Sequence, residues 1–81
     1  MMDIRTPNIL RVLSFVMIKP MSVKQLSIYT ELSYQKTYSC LVQLSDDKVG
    51  LVKCNRKGTS PTWYYCPEGW QNIRGNDILL R

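Results

Sequence analysis

At 81 residues the chain has room for one small domain with one core, since a fold of this size buries only about 60–65% of its unfolded surface. The hydrophobic fraction of 44%, with two Trp, five Tyr and one Phe, excludes wholesale disorder, and no apolar run reaches the roughly 18 residues a membrane-spanning helix needs. A net charge of +5 favours polyanionic partners, whereas the absence of histidine removes Ser-His and Cys-His nucleophilic pairs and histidine metal ligands.

In chain order, Thr6-Pro7 is a helix start: Thr caps free amides, and Pro at the first helical position gives up an amide that had no partner. Ile9, Leu10, Val12, Leu13, Val16 and Met17 recur at helical spacing up to Lys19-Pro20, predicting a first helix over 7–18. Ser22-Val23-Lys24-Gln25 fits a capping box and opens a second helix over 23–30, with Leu26 and Tyr29 on one side. Leu32-Ser33 forms a joint, and Ser33 caps a third helix over 34–45. In that helix Thr37, Cys40, Leu41 and Leu44 share one stripe, while Tyr34, Gln35, Lys36, Tyr38, Ser39 and Gln43 share the opposite one, with Val42 also outward.

After Gly50, the β-prone runs Leu51–Cys54 and Thr62–Cys66 flank Asn55–Pro61, whose turn formers predict a hairpin over 51–66. Trp63, Tyr64 and Tyr65 on the second run could stack on unpaired bases, as aromatics do in single-strand binders, but alternating strand aromatics are more often core. Residues 67–81 have no clear period and read as a packed tail or short helix. Trp70, Ile73, Ile78, Leu79 and Leu80 are there to cover the first helix or to form a dimer surface. The fold class expected is therefore α+β: three helices, a two-stranded hairpin and a short tail, in a single domain over 1–81.

Chemistry-bearing motifs are few. Cys40, Cys54 and Cys66 are odd in number and widely spaced, matching neither a disulfide framework nor a paired metal site, and read as small buried hydrophobes. Asp46 and Asp47 are the only neighbouring carboxylates and sit near a helix end, and the four glycines are scattered singly rather than grouped in a phosphate loop. No catalytic site, cofactor or metal is expected. The start MMDIRTPN lacks the basic region and long apolar stretch of a signal peptide, so a cytoplasmic location with reduced cysteines is expected.

The basic excess is uneven: residues 1–21 carry three basic and one acidic side chain, 22–60 six and three, and 61–81 two and two. Lys36 stands in the polar start of the third helix, and Lys53, Arg56 and Lys57 cluster after Gly50. Together with Ser27, Glu31, Leu32, Ser33, Thr37 and Leu41, this layout resembles the winged helix-turn-helix superfamily over roughly residues 7–69. Those residues occupy the family's small first-helix position, turn, cap, aliphatic and Leu positions. Glu31 stands where glycine is usual, and Thr37 where Val or Ile is usual. Gly50-Leu51-Val52-Lys53 through Trp63-Tyr64-Tyr65 look like the family's wing, and Pro67-Glu68-Gly69 its exit. In size and layout the chain is similar to single-domain fimbrial phase-variation regulators and to phage and plasmid regulators.

The resemblance implies a DNA-binding regulator of transcription, or an architectural factor, whose third helix enters the major groove. The residues this assigns are Tyr34, Gln35, Lys36, Tyr38, Ser39 and Gln43 on the helix, and Lys53, Arg56, Lys57, Thr59 and Ser60 on the wing. Ser22, Lys24 and Ser33 at the helix starts complete the set. Gln35 suits adenine, Lys36 guanine or phosphate, and the hydroxyls suit phosphate or base edges. The partner expected is double-stranded DNA, bound as a homodimer or beside a larger regulator, with no membrane and no small-molecule ligand. A second reading treats the same scaffold as a protein-interaction module presenting Tyr34, Tyr38 and the hairpin, as in a phage or plasmid inhibitor of a host factor.

Overall fold

In the computed structural model, residues 7–58 and 60–73 are described. The order is α1 (Pro7–Val16), α2 (Val23–Thr30), α3 (Tyr34–Ser45), β1 (Val52–Asn55), β2 (Thr62–Tyr65) and a 3-10 helix (Pro67–Ile73). Three helices followed by a two-stranded antiparallel hairpin make a small α+β domain. Among the described residues no helix is long and apolar enough to cross a membrane. Thr6, expected as the first cap, lies outside the described residues, as do positions 74–81 and the expected tail residues among them.

The first helix ends at Val16 rather than 18, and Pro20 is the cause. Its missing amide cannot bond Val16 and its ring clashes with the carbonyl four residues earlier, so the last turn tightens. The Met17 amide still reaches the Leu13 carbonyl, but the Ile18 amide bonds Phe15, three residues back.

Both later helices start as expected. The Ser22 hydroxyl accepts from the Gln25 amide while the Gln25 side chain accepts from the Ser22 amide, closing the capping box. Ser33 accepts from the Lys36 amide at 3.1 Å. Between them, Glu31 itself takes the left-handed conformation, φ 62° and ψ 26°, where glycine would be unstrained. For a residue with a Cβ this costs on the order of 1–2 kcal/mol. The turn is reinforced by Arg11, whose guanidinium donates to the Thr30 carbonyl at the end of α2.

One core joins all elements. Ile9, Val12, Leu13 and Val16 of α1 meet Val23 and Leu26 of α2, Cys40, Leu41 and Leu44 of α3, and Leu51, Val52 and Trp63 from the hairpin region. Burying a Leu or Val completely contributes roughly 1.5–3 kcal/mol, and Val12, Leu26, Leu41, Leu44, Leu51 and Val52 are fully buried. Thr37 lies in this core too. Its hydroxyl donates to the Ser33 carbonyl, so a polar β-branched residue fits an aliphatic position without an orphaned group.

The hairpin pairs Val52 with Tyr65, Lys53 with Tyr64, Cys54 with Trp63, and Asn55 with Thr62. A one-residue bridge adds a third chain to this sheet: Met21 and Trp63 exchange both backbone hydrogen bonds, at 3.0 and 2.7 Å. The segment before α2 thereby anchors β2. Trp63 is buried, Tyr65 is half-buried and Tyr64 is exposed, so the aromatic run divides by strand alternation.

The residues after the hairpin form the 3-10 helix, held at the far end of α3. Asp46 turns the chain there, its carbonyl accepting from the Val49 and Gly50 amides and its carboxylate from the Lys48 amide. Gly50 has φ +63°, and Gly69 lies so close to the Gly50–Leu51 peptide that a Cβ would sit 2.3 Å from the Gly50 carbonyl oxygen. Trp70 donates its indole N–H to the Tyr65 hydroxyl, and Asn72 donates to the Val49 carbonyl. Trp70 thus closes the sheet end and packs against the core.

Candidate functional site

Helix α3 divides its sequence between two faces. Thr37, Cys40, Leu41 and Leu44 are buried, whereas Tyr34, Gln35, Lys36, Tyr38, Ser39, Val42 and Gln43 are exposed. The 3.6-residue period produces this division, and the buried stripe fixes the outward direction of the other face.

Its charges run against its dipole. A helix N-terminus carries a partial positive charge and prefers acidic side chains, each worth about 0.3–1 kcal/mol when exposed. Here the first turn of α3 contains Lys36 and no acid, the last turn contains no base, and Asp46 and Asp47 follow directly. Helix α2 repeats the pattern at its start, with Lys24 and no acid in the first turn. Two helix starts therefore present lysines beside first-turn amides that have no intrahelical acceptor, a combination suited to an anion. Ser22 and Ser33 themselves are engaged as caps, so what these positions offer a ligand is mainly backbone.

The hairpin adds the remaining cations. Lys53 is exposed, directly opposite exposed Tyr64. Beyond β1, the Asn55 side chain accepts from the Lys57 amide at 3.0 Å, an Asx-type turn that orders the Arg56–Lys57 pair. Gly58 follows with φ +87° and open space around it. Arg56, Lys57 and Ser60 are exposed; Thr59, expected as a contact, lies outside the described residues.

One of the expected contact residues is less free than the others. Tyr38 is 45% exposed, yet its ring meets Trp63 edge-to-face at a centroid distance of 6.2 Å and an interplanar angle of 82°. Tyr29, expected on one side of α2 with Leu26, is 52% exposed while Leu26 is buried, and it stacks on Phe15 at 5.8 Å. It bridges α1 and α2 at their surface rather than entering the core.

The cysteines contain no disulfide. Cys40 and Cys66 are buried and Cys54 is half-buried. Burial pushes the Cys40 thiol up, and burial, with Glu68 adding and Lys53 partly offsetting, pushes Cys66 up. Raised thiols are poor nucleophiles, consistent with packing roles.

Among the features sequence did not anticipate are the Met21 bridge and the Arg11 bond to Thr30. Met21 did leave a trace. It precedes the Ser22 cap, with Leu26 at the fourth helical position, which is the hydrophobic-staple spacing, and both residues are buried. Arg11 left none. No protein-family model, curated protein or solved structure matches the chain.

Proposed function

We propose that the chain is a small DNA-binding regulator or architectural factor of winged helix-turn-helix type. In this reading α3 enters the major groove, and the β1–β2 turn reaches the adjacent minor groove or backbone. The observation carrying this reading is the placement of lysines at the starts of α2 and α3 against the helix dipoles. Such residues lower folding stability slightly, and a polyanion is the ligand that turns the same arrangement into attraction.

Gln35 and Lys36 on the leading end of α3 then read base edges, with Tyr34, Ser39 and Gln43 beside them. Lys24, Lys53, Arg56, Lys57, Thr59 and Ser60 contact phosphates. The first-turn amides after Ser22 and Ser33 add backbone contacts. Tyr38, its ring held against Trp63, is not one of these contacts, and no catalytic group or cofactor takes part. Regulation follows from position alone, by blocking polymerase, joining a larger regulator or bending a site.

The experiment is fluorescence anisotropy with random-sequence and selected duplexes. Replacing Gln35 and Lys36 with Ala is expected to relax discrimination by roughly 1–3 kcal/mol per lost base contact, while Arg56→Ala and Lys57→Ala weaken all sequences alike. Identical binding of all variants to every duplex contradicts the assignment.

A second reading draws on a different observation. Ile18 and Ile28 are 72% and 65% exposed on the α1–α2 side, near the Phe15–Tyr29 stack. Exposed apolar side chains there, together with exposed Tyr34 and Tyr38 on α3, fit a protein-interaction module such as a phage or plasmid inhibitor of a host factor. Loss of host-protein binding in Ile18→Ser/Ile28→Ser, with no duplex affinity in the parent, is the outcome that favours it.

A further inference from the structure

Tyr38 stands on the outward side of α3, four residues after Tyr34, and both offer a hydroxyl. Their surroundings differ. Tyr34 is 59% exposed and belongs to neither aromatic pair found among the described residues, whereas the Tyr38 ring is set against Trp63. Trp63 is buried, 6% exposed, and its amide and carbonyl are both bonded to Met21. Across the ladder it pairs with Cys54, and the next residue, Asn55, holds the Lys57 amide. A short series of fixed contacts therefore leads from the exposed face of α3 to the cationic turn: ring on ring, one ladder pair, one chain step, one Asx bond.

We propose that Tyr38 is a positioning residue that sets the angle between α3 and the Arg56–Lys57 turn through its edge-to-face contact with Trp63. It lets both elements engage one duplex at once, and its hydroxyl is dispensable. The inference rests on the duplex-binding reading for its functional consequence, while the geometric claim stands on the free protein. Edge-to-face contacts have a strong orientational preference, and a rigid pair holds a hairpin at an angle that aliphatic packing would leave loose. A preset angle spares the wing its ordering cost when it meets the phosphates.

The test combines Tyr38→Phe, Tyr38→Ala and the double variant Arg56→Ala/Lys57→Ala, with Tyr34→Ala as a control. Each is titrated against a fluorescent duplex in a salt series. Tyr38→Phe is expected to bind within about twofold of the parent with the same salt slope, because the ring is kept. Tyr38→Ala is expected to weaken binding about tenfold and to remove most of the slope that Arg56→Ala/Lys57→Ala removes. Combining Tyr38→Ala with the double variant then adds little, whereas Tyr34→Ala adds its full effect.

Nitrogen-15 relaxation of the duplex-free protein is the independent arm. Amide order at 55–58 is expected to fall in Tyr38→Ala and to hold in Tyr38→Phe. Equal losses in Phe and Ala overturn the proposal by assigning the role to the hydroxyl. Additive losses with the double variant, or unchanged order at 55–58 in Tyr38→Ala, overturn it as well. Failure of the parent to bind any duplex removes the function proposed above and leaves the relaxation data to decide the positioning claim.

Discussion

The two ends of α3 are built on opposite terms. At its C-terminal end the chain is packed backbone against backbone: Gly69 abuts the Gly50–Leu51 peptide, Asn72 holds the Val49 carbonyl, and Asp46 collects the amides of the turn. At its N-terminal end exposed polar and cationic side chains point outward and the charges oppose the helix dipole, and the hairpin turn likewise exposes Arg56 and Lys57. One end spends its residues on internal contacts; the other holds them in reserve. Where local electrostatics are unfavourable without an evident internal gain, a ligand is the natural beneficiary.

The sharpest way to break this contrast is at the packed end. Gly69→Ala places a methyl 2.3 Å from the Gly50 oxygen, so backbone must move. A loss of about 3 kcal/mol or more is expected, lowering the melting temperature by roughly 12 °C or more. Circular dichroism melting checks it, and a shift of only one or two degrees would show that the 3-10 helix is not docked as described.

At the other end, Lys36→Glu separates stability from function by sign. With an acid in the first turn of α3, the free protein is expected to gain about 0.5 kcal/mol at low salt. Duplex affinity is expected to fall at least tenfold in the same variant, roughly 1.4 kcal/mol or more. Parallel urea melts and binding titrations measure the two, and a fall in both would mean that Lys36 is structural.

The turn between α2 and α3 tests the strain at Glu31. Glycine there relieves the left-handed conformation but adds freedom to the unfolded chain, leaving a net gain of about 0.5–1 kcal/mol. Urea midpoints measure it, and a destabilised Glu31→Gly would reveal a contact of the Glu31 side chain that outweighs the strain.

The smallest effect expected is the contribution of the buried thiols to pH dependence. Burial makes Cys40 and Cys66 titrate higher in the folded protein than an unfolded thiol does. Unfolded thiols lose protons first as pH rises, so this contribution is fully present below about pH 9 and is lost as pH climbs toward the folded values. Urea melts between pH 7.5 and 10, compared with Cys40→Ala and Cys66→Ala, should show a flatter alkaline fall in the variants. Equal slopes would indicate that other groups govern it.

How far these features can be read from sequence follows from whether their causes are local. The starts of α2 and α3 were legible because Ser22, Gln25 and Ser33 satisfy amides within three residues of themselves, and the α3 stripe because its period is helical. The end of α1 was misplaced by two residues because apolar spacing continues through Met17 while the Pro20 ring already forbids the turn at Val16. A one-residue bridge such as Met21–Trp63 has no periodicity to read, and the 3-10 helix owes its shape to Gly69 meeting a distant peptide. At the candidate site, the outward residues of α3 could be listed in advance. That Tyr38 leans on Trp63 could not, because the contact depends on where the hairpin lands.

The most direct measurement of the central claim is anisotropy of the purified protein with a labelled duplex across a salt series, beside Arg56→Ala/Lys57→Ala. The prediction is an affinity falling linearly in log salt, with the variant's slope smaller by about 1.8, or roughly 0.9 per lost phosphate contact. No binding at low salt, or equal slopes for both proteins, would contradict the claim that α3 and the hairpin turn form one duplex-binding surface.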